Sequence, residues 1–489
     1  MSSSENKSEN ALSCRRFQAR AFACIEFDLR SELFASGSLP LPSTALRDLI
    51  LHSYLHWVHP LVPLLEFPYL LQRLLQDDDR NFPHIFLYQA ILYAGSSFLD
   101  PLQLQEAGLP SRQYIGRVLR GRARLLYTAK TERNPIIEAQ GLVLLSIREN
   151  LSEAALSESR LWVHQALSAA VQAALLPAKD DNTLQEKDHL FTILSSLHDR
   201  LFWSLYTADL AISLALDTPF QIPQLPPRDS QFISAAFAGI EISPAAALAA
   251  EPHTNLHVSC ELPSPGPCNQ LAQIMTQRSK LIRLVYYLLA PTNPKRNPNI
   301  TLDSVTRHAL SYGPKPPILL LQISQLDPQH LDLAETHLKA WLDDLPSSAR
   351  YEPISLLTLP KEDAGPRQLS TGFVLAVHRA ALHILCLALM LALYEGKVRS
   401  TTVAAQSTCV LMEEHACPHR HRRRHIASEL VQTWSTLAAA QAIPFLPSYC
   451  LFSLRLAREV FDKWSRSKKP EYAKWAVGSC DRFLAMGFE

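Results

Sequence analysis

Three histidines near the start of the chain are spaced for metal chemistry. His52, His56 and His59 lie four and three residues apart, a register that stacks imidazoles on one helix face and can bring three nitrogens toward one divalent ion. No carboxylate pattern beside them completes a hydrolytic site, so the plainer reading is three side chains of a packed helix end. The densest cationic run, His415 to His425, reads His-Ala-Cys-Pro-His-Arg-His-Arg-Arg-Arg-His. Its His415, Cys417 and His419 have zinc-ligand character, but Arg420, Arg422, Arg423 and Arg424 repel a cation. Phosphate contact, a nuclear import address or a solvated loop between two helices suit that charge better. Arg117, Arg120, Arg122 and Arg124 offer a phosphate-facing patch, yet no stacking aromatics or Gly-rich backbone accompany them, which favours a solvated helix face. Ser465 and Lys468 match a Ser-x-x-Lys pair by spacing alone, because Arg466-Ser467 and Lys468-Lys469-Pro470 describe an exposed turn. The chain has no phosphate loop, dinucleotide glycine pattern, nucleophile elbow or metalloprotease helix. No catalytic residue, cofactor or metal ligand is therefore assigned, and an enzyme is not expected.

One carboxylate stands apart. Asp209 lies in a segment where Leu197, Leu201, Leu205, Ala208 and Ile212 recur at three- and four-residue steps, with Phe202, Tyr206 and Leu210 as a second apolar row. A stripe this wide belongs to a helix in contact with neighbours on several sides. Asp209 falls between the rows, and a buried carboxylate takes up a proton unless cations or donors hold it. The expectation is a donor from another helix and a structural role.

The elements that position these residues read as helices throughout. The 489 residues are 47% apolar and 19% charged, with 34 Pro and 14 Gly, which suits helices stopped by proline better than tight hairpins. A net charge of +1 provides no overall field for nucleic acid. Nine dispersed cysteines point to reduced thiols inside a cell. Residues 1–41 form a tail, disordered at first and weakly helical at 17–33. Pro42-Ser43-Thr44 starts a helix that runs to about Val58 and is ended by His59-Pro60. Apolar helices are expected at 85–98 and 136–147. An amphipathic one at 114–129 turns Val118, Leu125 and Leu126 inward, and one at 154–176 turns Ala155, Trp162, Ala166 and Ala170 inward. Residues 223–269 read as a long loop. Later helices are expected at 270–289, from 302 to about 342, at 373–394, 401–415, 426–442, 448–466 and 472–486, with a loop from 345 to about 367. The apolar stretch Ala380 to Tyr394 is too short to span a bilayer, which needs roughly 20 residues, and reads as a core helix. The fold expected is all-α, a large bundle or solenoid-like array without substantial sheet. Its single domain covers 42–489, with a core at about 46–345 and C-terminal helices at 368–489.

The order Arg200, Phe202-Trp203, Tyr206, Asp209, then Pro219 and Ile222, together with Tyr54 to Leu65 around His59-Pro60, resembles the signature of the fungal zinc-cluster transcription factors. In that family these landmarks mark the large helical regulatory domain, the middle homology region. The resemblance implies a nuclear transcriptional regulator, plausible control of a specialised metabolic pathway, and pairing with itself or with a DNA-binding factor. It treats His59, Pro60, Arg200, Trp203, Tyr206, Asp209 and Pro219 as architecture. The family reads DNA with six paired cysteines, whereas the first 41 residues hold only Cys14 and Cys24, so direct DNA binding is doubtful and a partner is expected. Two family positions differ: Leu210 follows the Asp where Arg is usual, and Asp217-Thr218 stands for Gly-Arg before the Pro. A second reading is a helical enzyme or small-molecule-binding protein built on the same domain, for which an enclosed apolar pocket with convergent titratable groups would speak.

Overall fold

The computed structural model describes residues 42–65, 84–147, 153–175, 184–216, 218–222, 265–289, 328–354, 370–407, 418–468 and 471–488. Among these the regular structure is helical, with no strand. The helices are α1 (Thr44–Ser53), α2 (Ile85–Ser96), α3 (Pro101–Glu106), α4 (Arg112–Thr128), α5 (Pro135–Ser146), α6 (Glu153–Leu175) and α7 (Leu184–Leu216). They continue with α8 (Pro265–Leu289), α9 (Pro328–Asp343), α10 (Thr371–Ser407), α11 (Pro418–Ala439), α12 (Cys450–Lys468) and α13 (Glu471–Phe488). The weak helix expected at 17–33 and most of the loop at 223–269 lie outside the described residues; the last residues of that span, from Pro265, already belong to α8.

Local chemistry explains most of the boundaries. Ser43 caps α1 by accepting from the Leu46 amide at 3.4 Å. Asp100 and Asn134 do the same for α3 and α5, each with a proline in the first turn. After α1 the backbone widens into a π-turn, Tyr54–Val58, all of it buried, before His59-Pro60 stops the helix. Helix α2 is buried at every position and α5 from Ala139 onward, as expected of helices with no polar face. In α4 the buried stripe is Ile115, Leu119, Ala123 and Leu126. Leu125, expected inward, is 42% exposed and lies one position off that stripe.

Neighbouring helices pair in sequence: α5 with α6, α6 with α7, α10 with α11, α12 with α13. Helix α10 then packs on α8, α9, α11 and α12, while α7 touches α8 and α12 and so joins the two ends of the chain. The buried apolar side chains form one connected core from Ile50 to Phe483.

Helix α10 departs from expectation. A break was expected after Tyr394, where Glu395, Lys397 and Arg399 interrupt the apolar run, yet the helix continues to Ser407. Glu395 is buried and receives Arg423 of α11, Lys463 of α12 at 3.0 Å and Arg399 at 3.2 Å. These cations, against the cost of burial, hold its carboxyl down at about 2. Lys397 is met by Asp332 at 2.5 Å and by Glu335, both of α9. Charges supplied by three other helices thus let α10 run on. The consequence for the membrane question is that α10 is long and apolar enough to cross a bilayer. What makes it a core helix is coverage rather than shortness: 83% of its most apolar window is buried in the protein.

Two helix-interior glycines isolate packing from propensity. A Cβ at Gly95 of α2 would lie 2.5 Å from the Ile50 carbonyl oxygen, whereas one at Gly121 of α4 would meet nothing. Gly95→Ala will destabilise the protein by about 1–3 kcal/mol through overpacking against backbone. Gly121→Ala will stabilise it by about 0.5–1 kcal/mol through helix propensity alone. Denaturant unfolding of the two variants checks the opposite signs.

Candidate functional site

The segment 200–212 of α7 is an interior rod. Arg200, Leu201, Trp203, Leu205, Tyr206 and Asp209 are all buried, which matches the two apolar rows read from the sequence. Its C-terminal end is closed by a clasp. The Asp209 carboxylate accepts from the Gln221 amide at 2.9 Å and the Ile222 amide at 3.0 Å, and from the Ser213 hydroxyl at 3.2 Å. Amides of the segment that turns back beneath the helix's own end are among its donors, which the expectation of a donor from another helix did not include. Chain return is the reason: Pro219 redirects the backbone, and two consecutive extended amides then point at a carboxylate twelve and thirteen residues upstream. Burial and the nearby Asp209 charge push the Tyr206 phenol up to about 12.

Arg160 of α6 completes the clasp. Its guanidinium donates to the Thr218 hydroxyl and, at 3.0 Å, to the Pro219 carbonyl, while Gln221 Nε2 donates to the Arg160 carbonyl at 3.1 Å. Thr218 therefore has a partner of its own even though it stands where the family usually has Arg. Arg455 of α12 donates to the Ala215 carbonyl, one of the last acceptors of α7.

The His-Pro turn is braced in the same way. The Pro60 and Leu61 carbonyls accept from Arg278 of α8, the latter at 3.2 Å, and the Leu64 carbonyl accepts from Gln140 of α5 at 2.9 Å. His378 Nε2 of α10 donates to the His56 carbonyl at 2.8 Å, an acceptor left open because Pro60, four residues on, has no amide hydrogen. Trp57 stacks on Phe445 with ring centroids 4.6 Å apart. Arg160, Arg278 and His378 were not singled out in the sequence, because a lone Arg or His in an amphipathic helix gives no sign of facing inward.

The histidine triad does not gather. His52 and His56 rings sit 4.1 Å apart, but His56 Nδ1 is occupied as a donor to the His52 carbonyl at 2.8 Å. Desolvation lowers His52 to about 4 and His378 to about 3, keeping both neutral. Among the described residues no three His, Cys, Asp or Glu side chains converge on a metal position.

The basic run is helical from Pro418, which opens α11, and not the loop expected there; His415 and Cys417 lie outside the described residues. Arg423 turns inward to Glu395, and the Arg424 guanidinium lies 4.9 Å from the Trp464 ring centroid. Arg422 remains exposed and Arg420 half-exposed. On α4, Arg120 and Arg124 approach Glu158 of α6 at 3.8 and 3.5 Å. Ser465 is within α12, not in a turn, and its hydroxyl bonds the Asp462 carbonyl at 2.9 Å.

A cavity of about 90 Å³ lies between the two landmarks, lined among others by Leu61, Thr207, Ile212, Tyr449 and Leu451. Its titratable lining groups are Arg112 and Tyr449; no carboxylate, imidazole or thiol lines it. It supplies no acid and base pair for catalysis.

The landmarks are buried and held by side chains of distant helices. Residues 51–234 match the fungal specific transcription factor domain. The chain is 26% identical to transcription factor cpaR of Aspergillus oryzae over 73% of its own length and 54% of that protein. It is 23% identical to cutinase transcription factor 1 beta of Fusarium vanettenii over 84% of its length and 43% of that protein. With cutinase transcription factor 1 alpha of the same organism it shares 27% identity over 40% of the chain and 20% of that protein. The chain thus spans about half the length, or less, of these curated relatives. No solved structure matches it.

Asp209→Ala will leave two buried amides without their acceptor and cost about 2–4 kcal/mol, most of it recovered by Asp209→Asn; chemical denaturation measures both. His378 supplies a pH signature. Its folded pKa is depressed to about 3, so below the unfolded value of about 6.5 only the unfolded chain binds that proton. Stability is full above pH ~6.5 and is lost as pH falls through the window toward 3, by up to ~1.4 kcal/mol per pH unit. His378→Gln will flatten the stability profile between about pH 6 and 5, where the carboxylates contribute little.

Proposed function

We propose that the protein is a transcriptional regulator of the fungal zinc-cluster type, acting in the nucleus, and that a protein partner brings it to DNA. The observation that carries this reading is the match of residues 51–234 to the fungal specific transcription factor domain, on the helices whose buried landmarks anchor the core. Two relatives that align with 73% and 84% of the chain are themselves named transcription factors. The partner in this reading is a second copy of the chain or a DNA-binding factor. Exposed Arg422 of the basic run is the side chain assigned to nuclear import or an anionic contact.

Chromatin profiling of the tagged protein, with transcript profiling of a deletion strain, tests this. The expected result is nuclear fluorescence, a discrete set of occupied promoters, altered transcripts from them, and loss of occupancy when the co-purifying factor is deleted. A protein confined to the cytoplasm, with no transcript changed on deletion, overturns the reading. Occupancy that survives without any partner, or binding of the purified chain to promoter DNA alone, overturns the partner assignment.

A further inference from the structure

We propose that the corner where α12 turns into α13 is a docking surface for an acidic amphipathic helix of a partner protein, seated on Tyr472 and Trp475. The exposed aromatic pair is the first observation. All seven tryptophans of the chain lie among the described residues. Four of them are buried, Trp341 and Trp464 are half-buried, and Trp475 is 49% exposed. Tyr472, one turn earlier on the same face, is 43% exposed, and the two ring centroids are 5.5 Å apart. Large apolar side chains left in water side by side mark a surface meant to be covered. Helix α13 does not need the indole to hold its place, because it buries Ala473, Ala476, Cys480 and Phe483 in the core.

The relief of the surface suits a helix. Behind the pair, Phe461 and Trp464 of α12 lie 5.9 and 6.3 Å from the Tyr472 ring and give it an aromatic floor. One turn beyond Trp475, a Cβ on Gly478 would meet no atom within 4 Å. An indole ridge beside a bare glycine forms a knob and a notch, into which a facing helix can set one large side chain.

Charge selects the occupant. Lys468 ends α12, Lys469-Pro470 is the link, and Lys474 follows on α13. Other ionic groups of the corner are spent: Lys463 on Glu395 and Glu459, Arg466 on Asp462 at 2.6 Å, and Asp481 on Arg458 at 2.6 Å. By count, three lysines stand against Glu471. The first turn of α13 adds the partial positive charge of a helix start. A partner that complements this corner carries carboxylates around its apolar anchors. An aromatic centre with a charged rim is also the composition of a protein interface. A nucleic-acid strand needs a continuous cationic track and ring faces open to its bases, whereas these two rings lean on one another and the whole chain carries a net charge of only +1. The surface does not depend on the regulatory reading above; under that reading it is where a second protein is recruited.

The test uses the full purified chain and three fluorescein-labelled probes followed by anisotropy. One is a two-heptad peptide with leucine and phenylalanine on one helix face and glutamate on the other, the second has lysine for glutamate, and the third is an oligothymidylate of about twenty nucleotides. The acidic peptide will bind saturably and slow amide exchange at 471–486, and the lysine peptide will bind about tenfold or more weakly. Trp475→Ala will weaken the acidic peptide about tenfold or more. Gly478→Leu, which fills the notch from open space, will do the same without lowering the melting temperature. Leu161→Ala, at an exposed side chain of α6, will leave binding unchanged. The proposal is overturned if the acidic peptide does not bind, if the lysine peptide equals it, if protection maps elsewhere, or if folded Trp475→Ala or Gly478→Leu binds like wild type. Should Trp475→Ala not fold, Gly478→Leu and the wild-type exchange map decide. Oligothymidylate binding that Trp475→Ala abolishes overturns it in favour of a nucleic acid, and a wild-type dimer that Trp475→Ala dissociates overturns it in favour of a second copy. A chain that binds the peptide at Trp475 yet changes no transcripts on deletion keeps the surface and loses the regulatory reading, and the reverse result does the opposite.

Discussion

The structure depends on satisfying backbone groups where helices end inside the protein. A helix terminus leaves carbonyls and amides without intrahelical partners, and in a core there is no water to take them. This chain ends several helices in its interior and meets each end with a side chain from elsewhere. Arg278 and Gln140 take carbonyls after the His-Pro stop, His378 takes the one that Pro60 cannot serve, and Arg455 takes one at the end of α7. Asp209 serves the opposite polarity by collecting two amides of the returning strand of chain. Removing any one of these strands a buried polar group, so each bond fixes which helices must be neighbours.

The same logic extends to the charged residues of the core. Glu395 and Lys397 interrupt an apolar helix, and isolated in a low-dielectric interior they would not be tolerated. Five opposite charges from α9, α10, α11 and α12 surround them, and so α10 is tied to three other helices at one level. Breaking such a cluster on one side is costlier than never having built it, which makes it a device for specifying arrangement more than for adding stability.

These braces converge on the family landmarks. The His-Pro turn and the Asp209 clasp lie more than a hundred residues apart in sequence, and neither exposes a reactive group. Buried, they fix the relation of α7 to the rest of the core.

Local sequence determined the helices and most of their ends. Period, proline and capping residues act within a few positions, so α1 with its Ser43 cap, the apolar α2 and α5, the inward face of α6 and the interior character of α7 were all legible. The landmark residues were legible too, because their types and order are local. Three matters were decided only by tertiary structure. Helix α10 continues through Glu395 and Lys397 because cations and carboxylates arrive from other helices, and no window along the chain contains them. The basic run became the start of α11 for a related reason, since Arg423 and Arg424 are drawn onto Glu395 and Trp464. Asp209 took its donors from its own returning backbone, and Arg160, Arg278 and His378 were turned inward by the packing of whole helices. A side chain's type sets what it can bond, whereas its partner is set by which helix ends are brought to it, and that is a property of the folded chain.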